Sequence, residues 1–284
     1  MSADGDSNTW DRVWKEAGGP PLSFSRSTPS DLRQFWQRCY FEDLRSLMQK
    51  RGIGNRCLEL GSGRGTTSMY LSDQGCDVTL VDLSMTALEQ AKENFARHSL
   101  SEPNCVCANA NSTGLASDSF DCIYNIGVLE HFEAPETILS ETLRLLRPGG
   151  LVFLVIVPSI PASRRKLIDL VFSPWRVLAP TFLRDWIKKN STQSQVDENL
   201  AIRTTRGGAE YKDIMTSLGF HDVTNMPYNP YHPPYRGSAF ERKIAIPLYR
   251  LHRFVSGRSS TEVSLRTNSN LALCDLVIAS KVKK

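Results

Sequence analysis

The sequence predicts an α/β fold: a doubly wound, seven-stranded, mostly parallel sheet with a helical lid inserted after the fifth strand. Three observations predict it. Between residues 55 and 157, apolar runs of strand length alternate with stretches of helical spacing. The first of these runs, Cys57-Leu58-Glu59-Leu60, ends abruptly in Gly61-Ser62-Gly63-Arg64-Gly65. A second, Val78-Thr79-Leu80-Val81, ends in Asp82, close to the spacing of about 20 residues at which a carboxylate reaches a ribose held over a glycine turn.

The elements follow in order. Residues 1–29 are rich in Ser, Gly and Pro and read as a flexible leader. Trp10 and Trp14 lie one helical turn apart within it. The expectation is that they dock on the domain surface; packing over a ligand site is the other reading. Ser30 reads as an N-cap for a helix running to about Lys50, closed by Gly52 and Gly54. Strands are expected over 55–60, 77–82, 104–108, 120–126 and 151–157. Helices are expected over 64–74, 84–98 (from Ser84) and 135–147, with Pro148-Gly149-Gly150 as a turn. Beyond Val157 a helix over Glu210–Leu218 stops at Gly219, and Phe220–Val223 reads as a strand. The Pro- and Tyr-rich residues 226–238 read as an irregular loop. Residues 240–257 read as a helix kinked at Pro247, and Leu271–Ile278 as the last strand. Residues 30–284 then form one domain. Residues 55–158 are its cofactor-binding core, and the insertions 159–206 and 226–268 form a substrate lid.

The totals describe an ordinary globular chain: 284 residues, 40% hydrophobic and 23% charged. No apolar run approaches the ~20 residues of a membrane span, and no signal-peptide pattern opens the chain. Seven cysteines without a CxxC pair point to free thiols in a reducing cytoplasm, and no metal site is expected. Charge is unevenly placed. Residues 1–158 hold 14 Lys/Arg against 20 Asp/Glu; residues 159–284 hold 20 against 10. The basic half is also rich in Trp, Phe and Leu. A lid with solvated charges is the first reading of it. Peripheral contact with an anionic membrane, or a lipid-like acceptor, is the second. No nucleic-acid-binding module is visible.

The glycine turn binds a nucleoside cofactor, but not as a dinucleotide fingerprint would. Gly65 comes one residue early and Thr66 stands where the last glycine belongs, so a cofactor without a pyrophosphate fits better. Ordered motifs extend the signal. They are Leu58–Gly65, then Val81-Asp82-Leu83-Ser84, then Asn109-Ala110 with Ser119-Phe120-Asp121. Val128-Leu129-Glu130-His131-Phe132 and Leu146-Arg147-Pro148-Gly149-Gly150 complete the set. Over residues 55–158 the chain resembles the class I S-adenosylmethionine-dependent methyltransferases, a Rossmann-like family.

The resemblance implies roles. Gly61, Ser62 and Gly63 would line the methionine part of S-adenosylmethionine, with Glu59 accepting from its amino group directly or acting through water. Asp82 would bind both ribose hydroxyls, and Leu83 would pack on the adenine. Asn109, where the family has Asp, would accept from the adenine amine beside Ala110. Asn125, Ile126 and Gly127 would end the fourth strand beneath the transferring methyl. His131 is the candidate base and Glu130 its companion; a structural role is the stronger reading for both. His232 is a second candidate. The expected reaction moves a methyl group to a small or lipid-like acceptor, most readily at oxygen. The alternatives are a nicotinamide-dependent oxidoreductase and a non-catalytic cofactor-binding module.

Overall fold

A computed structural model describes residues 7–16, 24–159, 204–230, 241–259, 263–264, 266–267 and 272–283. Its sheet is built from β1 (Arg56–Leu60), β2 (Asp77–Asp82), β3 (Asn104–Cys107), β4 (Phe120–Ile126), β5 (Leu146–Ile156), β6 (His221–Pro230) and β7 (Ala272–Ser280). The spatial order is β3-β2-β1-β4-β5-β7-β6. The first five strands are parallel, and β7 is antiparallel to both its neighbours. The expected seven-stranded, mostly parallel sheet is present. The carboxyl ends of β1, β2, β4 and β5 share one edge, and the order reverses between β1 and β4, where α/β sheets place their ligands.

The helices are α1 (Ser7–Glu16), α2 (Leu32–Arg51), α3 (Thr66–Asp73), α4 (Met85–Arg97), α5 (Pro135–Leu145), α6 (Gly208–Ser217) and α7 (Ile246–Ser259). They cover both faces. One apolar cluster joins Phe35, Leu44, Leu47 and Phe95 to Tyr124, Phe153 and Leu276. The other joins Leu58, Ile123 and Val152 to Leu139, Leu145, Tyr211 and Met215. A parallel sheet covered this way needs near-continuous apolar strands, as seen in Leu151–Ile156.

Several expectations are corrected. Asp31, not Ser30, caps α2: its carboxylate accepts from the Gln34 N–H, the short geometry an N-cap needs. Within the leader, Ser7–Glu16 is helical. Residues 148–150 lie within β5, and the pairing of β4 with β5 shifts register between Phe120 and Cys122 of β4. Residues 226–230 are not loop but the continuation of β6. As an edge strand, β6 tolerates Pro227 and Pro230, whose missing N–H would cost a central strand a ladder bond. Pro247 falls at the second residue of α7, after a π-helical turn over Glu241–Ala245. It lacks the N–H that an α-helical bond back to residue 243 would use. Lid expectations over 160–203 and 231–240, with His232, lie outside the described residues.

A buried polar cluster ties α7 to the rest. Asp43 of α2 accepts from Tyr228 Oη (2.9 Å) and the Ser264 N–H (3.1 Å), and pairs with Arg253 at 3.4 Å. Arg253 also pairs with Glu42. The buried Glu241 carboxylate accepts from the Leu32 N–H at 3.1 Å. Removing Asp43 leaves a tyrosine hydroxyl and part of a guanidinium without their acceptor. Asp43→Ala is expected to lower unfolding stability by about 3 kcal/mol, read as a drop in the urea midpoint at unchanged slope.

Candidate cofactor and methyl-transfer site

The site grows from the end of β1. Leu60 leads into Gly61, with Gly61 and Gly63 at φ +65° and +51°. A Cβ on Gly61 would lie 2.6 Å from Val128, and one on Gly63 2.6 Å from the Trp14 ring. Side chains are therefore excluded twice, by backbone conformation and by close neighbours. The Gly61 and Ser62 N–H groups donate to the Val81 carbonyl at 2.8 and 3.1 Å, holding the turn against β2.

Asp82 closes this arrangement. It is buried at the end of β2. One carboxylate oxygen accepts from the Gly63 N–H at 2.7 Å, the other from the Ser84 N–H at 2.9 Å. Burial pushes its pKa up, while the two N–H donors and that of Leu83 oppose the shift. Each oxygen keeps a further lone pair for a hydroxyl. Leu83 is half-buried next in sequence.

Glu59 lies deeper. It is the register neighbour of Tyr124 across β1 and β4. Ser68 Oγ and Tyr124 Oη both donate to one of its oxygens, at 2.6 and 3.2 Å. Burial raises its pKa to about 7 against those two bonds.

Two buried oxygens at this edge have no hydrogen-bond partner among the described residues: Ser62 Oγ and Asn125 Oδ1. A buried polar atom without a partner is costly, and a polar ligand would satisfy both. Ile126 and Gly127 follow at the end of β4, half-buried, with Gly127 at φ +72°. Asn109 Oδ1 accepts from the Asn111 N–H at 2.9 Å, shaping the loop after β3, with Ala110 buried beside it.

A 3-10 turn over Leu129–His131 follows β4. Its two candidate groups separate. The His131 ring is half-buried, with its centroid 5.3 Å from that of Trp10 in an edge-on contact. Glu130 is completely enclosed. Its Oε1 lies 3.4 Å from where a Cβ on Gly127 would sit, beneath the turn. Glu130 and His131 thus have different surroundings, the one enclosed and the other beside Trp10.

The leader helix α1 crosses the same edge, so Trp10 and Trp14 pack on His131 and the glycine turn rather than on plain surface. Asp11 accepts from Ser84 Oγ at 2.5 Å and from the Thr86 N–H at 3.2 Å. The Trp14 ring covers Gly63, with the Arg64 guanidinium 5.2 Å from its centroid. α1 thus touches the glycine turn, the start of α4 and His131.

Comparison with known proteins agrees with this geometry. A family profile described as a methyltransferase domain matches residues 58–154. The ubiquinone biosynthesis O-methyltransferase of Parvibaculum lavamentivorans is 31% identical over 222 residues, 76% of this chain and 79% of that protein. The chain belongs to the class I S-adenosylmethionine-dependent methyltransferases. Malonyl-[acyl-carrier protein] O-methyltransferase of Enterobacter lignolyticus is 33% identical over 97 residues, 34% of this chain. The match spans only 37% of that relative's length. In fold, the chain resembles a methyltransferase structure from Thermotoga maritima, with a TM-score of 0.52, 18% identity and coverage of 87% and 90% of the two chains. S-Adenosylmethionine is the family's cofactor, and the two partnerless oxygens, the glycine turn and Asp82 fit it.

Two expected outcomes follow. An ordinary Glu titrates near 4.5, whereas native Glu59 titrates near 7. Between those values the folded state holds the extra proton, so this group's contribution is full below the lower value and lost as pH rises through the upper. Relative to wild type, Glu59→Gln should remove a decline in unfolding stability of up to about 3 kcal/mol between pH ~4.5 and ~7, checked by urea titrations across that range. Asp82→Ala should weaken S-adenosylhomocysteine binding by about 1–3 kcal/mol, from losing buried hydrogen bonds. Calorimetry that found unchanged affinity would remove Asp82 from the site.

Proposed function

We propose that the protein transfers the methyl group of S-adenosylmethionine to an oxygen of a small, lipid-like acceptor. The observation that supports this is the edge-on contact of His131 with Trp10, on the same helix whose Trp14 covers Gly63. The cofactor supplies an activated sulfonium methyl. The residues then need to orient it and prepare the acceptor.

Gly61, Ser62 and Gly63 hold the methionine part through backbone groups and Ser62 Oγ. Glu59, near the start of that turn, balances its ammonium. Asp82 takes the ribose hydroxyls, Leu83 packs against the adenine, and Asn109 and Ala110 border its amine. Asn125, Ile126 and Gly127 would border the cofactor's methyl, and Asn125 Oδ1 would be available there as an acceptor. His131 takes the proton of an acceptor hydroxyl as it attacks, a role an imidazole can fill as general base. Glu130, enclosed below Gly127, is a positioning residue for that turn.

Two curated relatives support oxygen as the acceptor atom, since both carry the name O-methyltransferase. One is named for ubiquinone biosynthesis, which favours an apolar acceptor. Such an acceptor resides in lipid, so the proposal includes peripheral contact with an anionic membrane from a cytoplasmic location. Among the described residues no helix is long and apolar enough to cross a membrane.

The test is transfer of labelled methyl from S-adenosylmethionine to lipid-soluble phenols. His131→Asn should lower kcat roughly 100-fold or more while leaving S-adenosylhomocysteine affinity in place. Transfer to amines alone would overturn the choice of oxygen. Binding of NAD without binding of the thioether would overturn the reaction class.

A further inference from the structure

α7 and the π-helical turn before it have two apolar faces, and one of them meets water. Inward, Ala245 and Ile246 are buried. The Tyr249 ring lies 4.9 Å from that of Trp36, and Arg253 is paired to Glu42 and Asp43. Outward, Ile244, Leu248, Leu251 and Val255 are 48%, 61%, 59% and 60% exposed. Their spacing of four, three and four residues puts them in one stripe along the helix. Exposed Arg242, Lys243 and Arg250 accompany it. A contiguous exposed stripe of large aliphatic side chains marks a contact surface.

We propose that this stripe docks the protein on a lipid bilayer carrying anionic headgroups, with α7 lying in the plane of the surface. Charge selects the occupant. Over residues 241–259 the sequence has five Arg or Lys and a single acidic residue, Glu241. That carboxylate is buried and accepts from the Leu32 N–H, so it does not neutralise the outer face. Cations flanking a ridge of aliphatic side chains match an anionic interface: the stripe enters the acyl boundary while the basic groups stay among headgroups. A second copy of the chain fits less well. A two-fold contact would set the same basic ridge against itself and bring like charges together.

The inference supplies a surface for the membrane contact proposed above and rests on that reading for its purpose alone. Its test involves no methyl transfer, so it can fail while the proposed reaction stands, and the reaction can fail while it stands. The full chain is sedimented with vesicles of phosphatidylcholine alone and of phosphatidylcholine mixed with phosphatidylglycerol, at low and at moderate salt. Binding is expected to the anionic vesicles and to weaken with salt. Leu248→Glu with Leu251→Glu, and separately Lys243→Glu with Arg250→Glu, should each reduce it roughly tenfold or more. Both pairs should keep wild-type affinity for S-adenosylhomocysteine, which shows that they fold. Three results would overturn the inference. One is no binding of wild type to anionic vesicles. Another is binding that neither pair alters. The third is a concentration-dependent dimer dissolved by Leu248→Glu, which would give the stripe to a second copy.

Discussion

The site depends on Asp82 and the two backbone N–H groups it accepts. One belongs to Gly63 in the turn after β1, the other to Ser84 at the start of α4. A single buried carboxylate thereby fixes a turn, a strand end and a helix start relative to each other. Its burial is tolerable because hydrogen bonds to N–H groups compensate the charged form. The same bonds fix the oxygens, so the proposed contact with a ribose diol would need no reorganisation of them.

The start of α4 shows how much is gathered there. Three early N–H groups find side-chain acceptors: Ser84 on Asp82, Thr86 on Asp11, and Ala87 on Ser84 Oγ. Carboxylates at a helix N-terminus are favoured by the exposed N–H groups and the helix dipole. Asp11 responds with a lowered pKa, mainly through the Ser84 hydroxyl. Asp82, buried and close to that second carboxylate, moves up. The leader helix is therefore attached to the cradle by polar bonds at one point and by Trp14 at another. Its place follows from what Gly63 lacks: with a Cβ at that position Trp14 could not lie where it does.

The donor half was legible because each of its parts is local. Alternating apolar runs give parallel strands, and the early Gly65 with Thr66 rejects a pyrophosphate turn. Asp82 is placed by strand length alone. What escaped depends on contacts distant in sequence. Asp31 and Ser30 are both good caps, and only the observed bond to Gln34 separates them. The prolines at 227 and 230 look like breakers until β6 is known to be an edge. Glu130 and His131 are adjacent in sequence, yet a 3-10 turn sends one inward and leaves the other beside Trp10. The Glu59–Ser68–Tyr124 cluster joins three elements and has no local signature, although Glu59 inside an apolar strand was its one visible sign.

The C-terminal half follows another logic, in which polar pairing sets the orientation of an apolar helix. Rotating α7 to bury Leu248 and Leu251 would expose Ile246 and Tyr249 in exchange, so apolar burial gives little preference between the two orientations. The rotation would also pull Arg253 from Glu42 and Asp43. Asp43 is almost fully enclosed, and stripping its cation away costs several kcal/mol. Charge pairing therefore decides which apolar face turns inward, and the outward stripe is its consequence. A chain that only needed to cover its sheet could have met that demand with polar residues at 244, 248, 251 and 255. The presence of four aliphatic residues there, beside cations and without an exposed carboxylate, is what calls for a surface to receive them.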